Sequence, residues 1–396
     1  MISVDEAVQR VTRAFAPLPA ENVPLTETLG RVLARDVVAA FDHPPAPMSA
    51  MDGYAVRVHD ARVDAELTVI GEVPAGRPFA GRVGPGQAVR IFTGGVVPEG
   101  ADAVVIQEDA VAHGARVRIK ETPKPEENVR RRGLDFRVGD VLLERGHRIS
   151  PRDVALLAAG DFPLVEVTRK PRVAVVATGD ELSRPGEPRA PGGIVASSTY
   201  ALQSMIRNWG GDAIDLGIIP DRAEEFARLP DAARGMDLII TLGGASVGDH
   251  DLIQSALAPY GFVLDFWKIA MRPGKPLIFG RLNASPLIGL PGNPVSAMVC
   301  ALLFVRPVLS AMLGAPYATL VRTARLAAPL KANGKRQDYI RARLSLSKGA
   351  PVVEPFTLQD SSMQKVFAQA DALIIRRVDA PPADAGDEVE VLLLDG

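Results

Sequence analysis

Apolar positions repeat in different ways along this chain, and each way predicts a different kind of element. Between about 171 and 315, apolar runs at 172–177, 213–219, 237–242 and 286–290 are separated by stretches of helical period. That alternation predicts a parallel α/β sheet. From Tyr54 to about Val129, short β-type runs at 67–71, 88–92, 103–107 and 116–119 alternate with Gly and Pro, which predicts an all-β module of barrel type. Beyond Gly314-Ala315-Pro316, the runs at 320–326, 338–346, 372–378 and 388–394 alternate in the β manner and predict a separate small β domain. Helical period appears at Val4, Ala7, Val8, Val11 and Phe15 behind the capping box Ser3-Val4-Asp5-Glu6. Ser150-Pro151-Arg152-Asp153 starts a second helix over 154–159, which Gly160 stops. Asn293 as N-cap and Pro294 at the first position start a long helix over 295–313 and leave its first N–H groups free. Pro44, Pro45 and Pro47 forbid helix before Tyr54 and predict a rigid extended loop there.

A chain of 396 residues is too long for one core and should divide into two to four domains. Its 47% hydrophobic and 23% charged residues are those of a folded soluble protein. The formal charge of −2, from 45 basic and 47 acidic residues, argues against nucleic-acid and anionic-membrane partners, so any anion site must be local. Cys300 is the single cysteine, which excludes an intrachain disulfide, and its apolar run Val299-Cys300-Ala301-Leu302-Leu303 makes it a core residue rather than a nucleophile. The histidines at 43, 59, 113, 147 and 250 have no ligand spacing for zinc. The start Met1-Ile2-Ser3-Val4-Asp5-Glu6 carries no secretory pattern, and the apolar helix near 295–313, interrupted by Arg306-Pro307, reads as too short for a bilayer. A cytoplasmic location is therefore expected.

Candidate chemistry gathers where ligands of open α/β sheets bind, beyond the carboxyl ends of the strands. Three loops meet that condition: Thr178-Gly179-Asp180-Glu181-Leu182, Gly243-Gly244-Ala245-Ser246-Val247-Gly248-Asp249-His250-Asp251, and Pro291-Gly292-Asn293-Pro294. The second is a glycine-rich turn between strand and helix, suited to an anion. It fits neither the dinucleotide G-x-G-x-x-G nor a Walker loop, and Asp249 and Asp251 either cap the helix or hold a hard cation such as Mg²⁺ beside the anion. The stretch Trp267 to Pro276 brings Lys268, Arg272 and Lys275 together between prolines, as an oxyanion pocket would require, while Asp180, Glu181, Asp249 and Asp251 supply oxygen ligands for a metal. Elsewhere, Asp52-Gly53 reads as an ordinary turn, Thr93-Gly94-Gly95 offers a hydroxyl and bare backbone at a strand end, and Arg130-Arg131-Arg132 reads as solvated or ion-paired surface. The polar loop Gln359-Asp360-Ser361-Ser362-Met363 yields no chemistry.

Taken together, Ser49-Ala50-Met51-Asp52-Gly53-Tyr54-Ala55, Arg130-Arg131-Arg132-Gly133, Thr178-Gly179-Asp180-Glu181-Leu182, Ser246-Val247-Gly248, Pro273-Gly274-Lys275-Pro276 and Leu290-Pro291-Gly292-Asn293-Pro294-Val295-Ser296-Ala297 resemble the MoeA family, the molybdopterin molybdenumtransferases, which include the gephyrin E domain. The resemblance spans nearly the whole chain. It implies a multidomain α/β plus β fold: a discontinuous elongated α/β segment (1–46 and 131–170), a β-barrel-like inserted domain (47–130), a central parallel α/β domain of Mog type (171–317) and a C-terminal small β domain (318–396). It implies Mg²⁺-dependent insertion of molybdate into adenylylated molybdopterin with release of AMP, by a homodimer whose Asp52 and Thr93 loops face the partner's α/β domain. A Mog-type adenylyltransferase and molybdoenzyme chaperones would be its protein partners. Carried over by motif, the catalytic set is Asp52, Asp135, Glu181, Asp221, Asp251, Lys268, Arg272 and Lys275, with Glu181, Asp249 and Asp251 as metal ligands. Substrate would lie against Thr93, Thr178, Gly179, Asp180, Gly243, Gly244, Ser246, Gly248, Pro291, Gly292, Asn293 and Ser296.

The chain departs from the family pattern in places. Arg272 stands where lysine is frequent, Leu134 where an acid precedes Asp135, and Ala196-Ser197-Ser198 where Asp-Thr-Asn is common, with Ser198 still able to cap the following helix. Ala177 and Ala245 replace a serine and a valine. Two competing functions remain at this level. A molybdopterin adenylyltransferase would consume ATP, and a non-catalytic pterin-binding scaffold would never release AMP.

Overall fold

The computed structural model describes residues 1–244, 252–317, 319–347 and 349–394. The expected site residues Ser246, Gly248, Asp249 and Asp251 lie outside the described residues.

The central sheet has six strands: β1 (Arg172–Thr178), β2 (Asp212–Ile219), β3 (Leu238–Leu242), β4 (Phe262–Trp267), β5 (Ile278–Leu282) and β6 (Ser285–Leu290), in spatial order β2-β1-β3-β6-β5-β4. The first four in that order are parallel, as their apolar runs predict. At the other edge two further strands, β5 and β4, absent from the apolar runs read in the sequence, pair antiparallel. Loop length explains it. Only residues 268–277 join β4 to β5 and only 283–284 join β5 to β6, too few for the crossover that a parallel pair needs. The cation-bearing stretch is therefore a long hairpin loop at the sheet's edge.

Side chains alternate across β1. Val173, Val175 and Ala177 enter one core, whereas Ala174 and Val176 enter the other with Phe226, Leu229, Ile253 and Leu257. The first core surrounds the helix Pro294–Leu313, a 20-residue element with 72% of its apolar window buried in the protein. It runs on through Arg306-Pro307, contrary to the expected interruption, because a π-turn at Ala301–Val305 absorbs the break and seats Pro307 in the first turn of the next segment. Its length matches a membrane span, but its apolar surface is already spent on the core. The N-terminal helix Val4–Arg13 packs Val4, Ala7 and Val11 into this same core, and Ile2 bridges to Ile269, so that helix sits with the α/β unit rather than with the segment that follows it.

Ala20–Pro24 pairs antiparallel with Leu164–Thr168, and Val23, Leu33, Leu143, Ile149, Leu157 and Val165 from both ends of the segmented region share one core. Between them, Ala103–Ile106, Gly53–Val56, Gln87–Ile91, Glu66–Val73, Arg116–Ile119 and Ala110–His113 hydrogen-bond in that order as one six-stranded sheet with a core on each side. Full closure occurs in the C-terminal region. There Gln337–Ser347, Ala350–Pro355, Val321–Leu326, Glu388–Leu393 and Ala372–Arg376 form a ring of five strands, the last pairing back on the first. Ala350–Pro355 goes unread in the sequence because Pro351 and Pro355 mask the pattern. Met271–Arg272 joins this barrel as a short parallel strand on Gln337 and Asp338, tying the cation loop to a different domain.

Candidate functional site

Two cavities meet at the carboxyl ends of the parallel strands. The larger, about 900 Å³, opens where β1 lies between β2 and β3 and the strand order reverses, the place such sheets offer a ligand. Thr178, Gly243, Gly244, Pro291 and Gly292 line it, so all three strand-end loops named from sequence converge there. Gly243 makes the convergence possible: its φ is +92°, and a Cβ would stand 2.7 Å from the Thr178 carbonyl oxygen. The Thr178 hydroxyl is buried against Gly243 and Gly244 without a hydrogen-bond partner among the described residues.

Glu181 and Asp221 put carboxylates on this cavity, and Asp180 Oδ1 accepts a hydrogen bond from the Asp221 amide at 3.2 Å. Partial burial, then the charges of Glu181 and Asp180, push the Asp221 carboxyl above its ordinary range. Repulsion of this kind is what a bound cation relieves. Among the described residues no three His, Cys, Asp or Glu side chains form a metal-binding group by themselves.

The smaller cavity, about 550 Å³, is predominantly cationic: Arg272, Lys275, Arg336 and Arg341 line it, against Asp338 and Asp360. It shares Pro276, Asn293 and Ser296 with the larger one, so acids and bases face a continuous space. Arg272 is held by Asp338, with Nε to Oδ1 at 2.8 Å and a second contact through the other guanidinium nitrogen. That ion pair raises the Arg272 pKa further. Arg341 is 2% exposed; its amide and Nε donate to Gln359 Oε1 at 3.0 Å, and one terminal nitrogen donates to the Asp360 carbonyl at 2.6 Å. Burial lowers its pKa, and the charge of Asp360 opposes that, so a largely buried guanidinium lies beside the cavity. Lys268 lines neither cavity. Its ammonium lies 3.6 Å from the centroid of the Trp267 ring, with the backbone in the left-handed region at φ +74°.

Two capping expectations are corrected. Asn293 stands at the N-cap of the core helix, but its side chain donates to Ser361 Oγ at 3.0 Å instead of capping, and the Ser361 carbonyl takes the Val295 amide at 3.0 Å. Helix Ser197–Asn208 begins at Ser197, with Ala196 in the N-cap position and no side-chain cap, so Ser198 lies inside the first turn and cannot serve. The loop carrying Ser361 lines both cavities with Gln359, Asp360, Ser362 and Gln364, residues that sequence reasoning passed over because a polar loop alone carries no signal.

Asp52 and Thr93 find each other: Asp52 Oδ1 accepts from the Thr93 amide at 2.7 Å and its hydroxyl at 2.8 Å, which lowers the Asp52 carboxyl. Neither lines either cavity of its own chain. Asp135 is exposed and lines a separate shallow hollow with Phe136 and Leu142. In the arginine run, Arg131 pairs with Glu126 and Arg132 with Asp42. Cys300 is buried under the cation loop, its thiol raised by burial and directed at the Gly274 carbonyl.

Three family descriptions cover most of the chain: residues 2–160 match the MoeA N-terminal region (domain I and II), 174–311 a probable molybdopterin binding domain, and 323–394 the MoeA C-terminal region (domain IV). A molybdopterin molybdenumtransferase of Haemophilus influenzae is 35% identical, over 99% of this chain and 98% of its own length. One from Nostoc is 37% identical over 94% and 88%. The molybdopterin biosynthesis MoeA protein of Pyrococcus horikosii superposes with a TM-score of 0.87 at 32% identity, over the whole of both chains.

Proposed function

Because the chain belongs to the MoeA family of molybdopterin molybdenumtransferases, we propose that its two joined cavities carry out the insertion of molybdate into adenylylated molybdopterin, with release of AMP. One observation carries this reading: an acid-lined cavity and a cation-lined cavity share Pro276, Asn293 and Ser296, so a diphosphate ester and an oxoanion can lie side by side. Molybdate is a tetrahedral dianion, and Lys275, Arg341 and the Asp338-oriented fork of Arg272 give it charge-assisted donors. The glycine-rich strand ends give the pterin and its diphosphate close access to backbone. Holding both reactants there converts a bimolecular encounter into an oriented one.

Mg²⁺ fits the donor set. Glu181 and Asp221 offer hard oxygens on one cavity, and Mg²⁺ is ordinarily held by one or two carboxylates together with substrate phosphate oxygens. Asp249 and Asp251 are assigned to the same set from sequence. When bound, the ion would neutralise charge on the phosphate oxygens during cleavage.

Asp52 and Thr93 are assigned to the partner's cleft in a homodimer, a reading supported by their absence from the lining of their own chain's cavities. Asp135 and Lys268 are assigned to the catalytic set from the family motifs, although Asp135 lines a separate hollow and Lys268 lines neither cavity. The reading places the protein in the cytoplasm, between a Mog-type adenylyltransferase that supplies its substrate and the chaperones that collect its product.

Molybdate-dependent AMP release, measured with Glu181→Ala, tests it. A fall of roughly 10²-fold with an unchanged circular dichroism spectrum is expected. Release at the wild-type rate, or a requirement for ATP, would overturn the assignment.

A further inference from the structure

Outside the two cavities, one cation is engaged by four groups of its own chain. Arg90 lies on strand Gln87–Ile91, directly opposite Tyr54 in the antiparallel register with Gly53–Val56. Its guanidinium carbon stands 5.1 Å from the centroid of the Tyr54 ring and 4.9 Å from that of Phe92, so the cation is stacked on two aromatic side chains. Its terminal nitrogens are divided between two acceptors: Nη1 donates to the Gly53 carbonyl at 3.1 Å, and Nη2 donates to Gln107 Oε1 at 2.8 Å. Both acceptors border Asp52. Gly53 follows it in the chain, and the Gln107 amide donates to the Asp52 carbonyl at 3.0 Å. Gly53 is pressed against the next strand, since a Cβ there would stand 2.0 Å from the Val105 carbonyl oxygen. Thr93, three residues beyond Arg90, holds the carboxylate itself, and the turn that carries it is tied to the Asp52 loop by the Ser49 amide on the Gly95 carbonyl at 2.8 Å and the Gly94 amide on the Ser49 carbonyl at 2.9 Å. The charge of Arg90 also favours the Asp52 carboxylate, after the two Thr93 hydrogen bonds.

We propose that Arg90 is a positioning residue for the transfer reaction: its planar fork, stacked on Tyr54 and Phe92, fixes the peptide after Asp52 and the residue that holds the Asp52 carbonyl, and so sets the direction in which that carboxylate is presented. The role is indirect. Both terminal nitrogens already have acceptors within the chain, and none of Arg90, Gly53, Tyr54, Phe92 and Gln107 lines either cavity. Lysine would supply the charge without two diverging donors. The proposal rests on the assignment of Asp52 to the reaction.

Arg90→Gln and Arg90→Lys in the full-length protein test it, with molybdate-dependent AMP release and hydrogen exchange read on the same samples. Arg90→Gln is expected to lower kcat roughly 10-fold while leaving the KM for molybdate unchanged, because the cations of the smaller cavity are untouched. Amide exchange should quicken in peptides covering 49–53 and 92–95 and stay as in wild type in those covering 103–106 and 116–119 of the same sheet. Arg90→Lys should lie closer to Arg90→Gln than to wild type in both measurements. Wild-type kcat and wild-type exchange in Arg90→Gln would overturn the proposal. Full recovery of both in Arg90→Lys would overturn it too, by reducing the residue to its charge, and so would faster exchange throughout the sheet, which marks general loosening. The two readings fail separately: faster exchange confined to the two loop peptides with kcat unchanged overturns the place of Asp52 in the reaction, whereas unchanged exchange in an enzyme that turns over overturns Arg90 alone.

Discussion

Charges in the cleft are unequally committed. Arg272 answers to Asp338 and Lys268 lies on Trp267, while Lys275 has neither a carboxylate nor an aromatic partner among the described residues. Lys275→Ala should therefore raise the KM for molybdate about 10-fold, and Lys268→Ala should change it less, as read from AMP release against molybdate concentration. Asp221 makes the second test. Its carboxyl is raised in the folded state, so ionisation there opposes folding. That opposition is absent below the ordinary carboxylate pKa and grows as pH rises through the folded value. Asp221→Asn is expected to raise the thermal midpoint at neutral pH while abolishing AMP release; a lowered midpoint would show that no repulsion was relieved. Nothing local to Asp221 marks it in the sequence, where it is one acid after Pro220 at the end of a strand. Only the family resemblance reached it, because what raises its carboxyl is burial in the fold and then the charges of Glu181 and Asp180, about 40 residues away in the chain.

At the level of elements, the cation loop depends on the helix beneath it. Gly274 has φ +106°, and a Cβ there would come within 2.4 Å of Cys300 Sγ. Gly274→Ala should cost about 1–3 kcal/mol in urea unfolding and weaken molybdate binding, because both backbone strain and overpacking oppose it. The capping box at Ser150 gives a pH test. Burial of Asp153 works against ionisation, but hydrogen bonds from His147 at 2.8 Å and from the Ser150 amide at 2.7 Å prevail and bring the carboxyl down to about 2. Its contribution is complete above the ordinary carboxylate pKa and is lost as pH falls through about 2. Asp153→Ala should thus lower the thermal midpoint at pH 6 and converge with wild type under strong acid. This element was legible in sequence because a capping box is written within four residues. The antiparallel edge was not, since periodicity reports a strand's existence and not its direction.

At the scale of the whole molecule, the proposed dimer predicts complementation. Asp52→Asn and Glu181→Gln proteins, each inactive alone, should regain roughly a quarter of wild-type activity when co-expressed in equal amounts, because half of the dimers then hold one intact composite site. No recovery would place Asp52 in its own chain's cleft. What the sequence determined by itself is whatever is encoded over short spans: the β1, β2, β3 and β6 runs, the helix starts at Ser3, Ser150 and Asn293, and the three strand-end loops, all set by side-chain period and turn chemistry between near neighbours. What only the tertiary structure decided are relations between distant segments. The N-terminal helix joins the α/β core, Met271–Arg272 becomes a strand of the C-terminal barrel, Asn293 turns to Ser361, and Arg341 lies buried beside Lys275. Each of these is a choice among partners far along the chain, fixed by which surfaces exclude water together, and no local pattern records that choice.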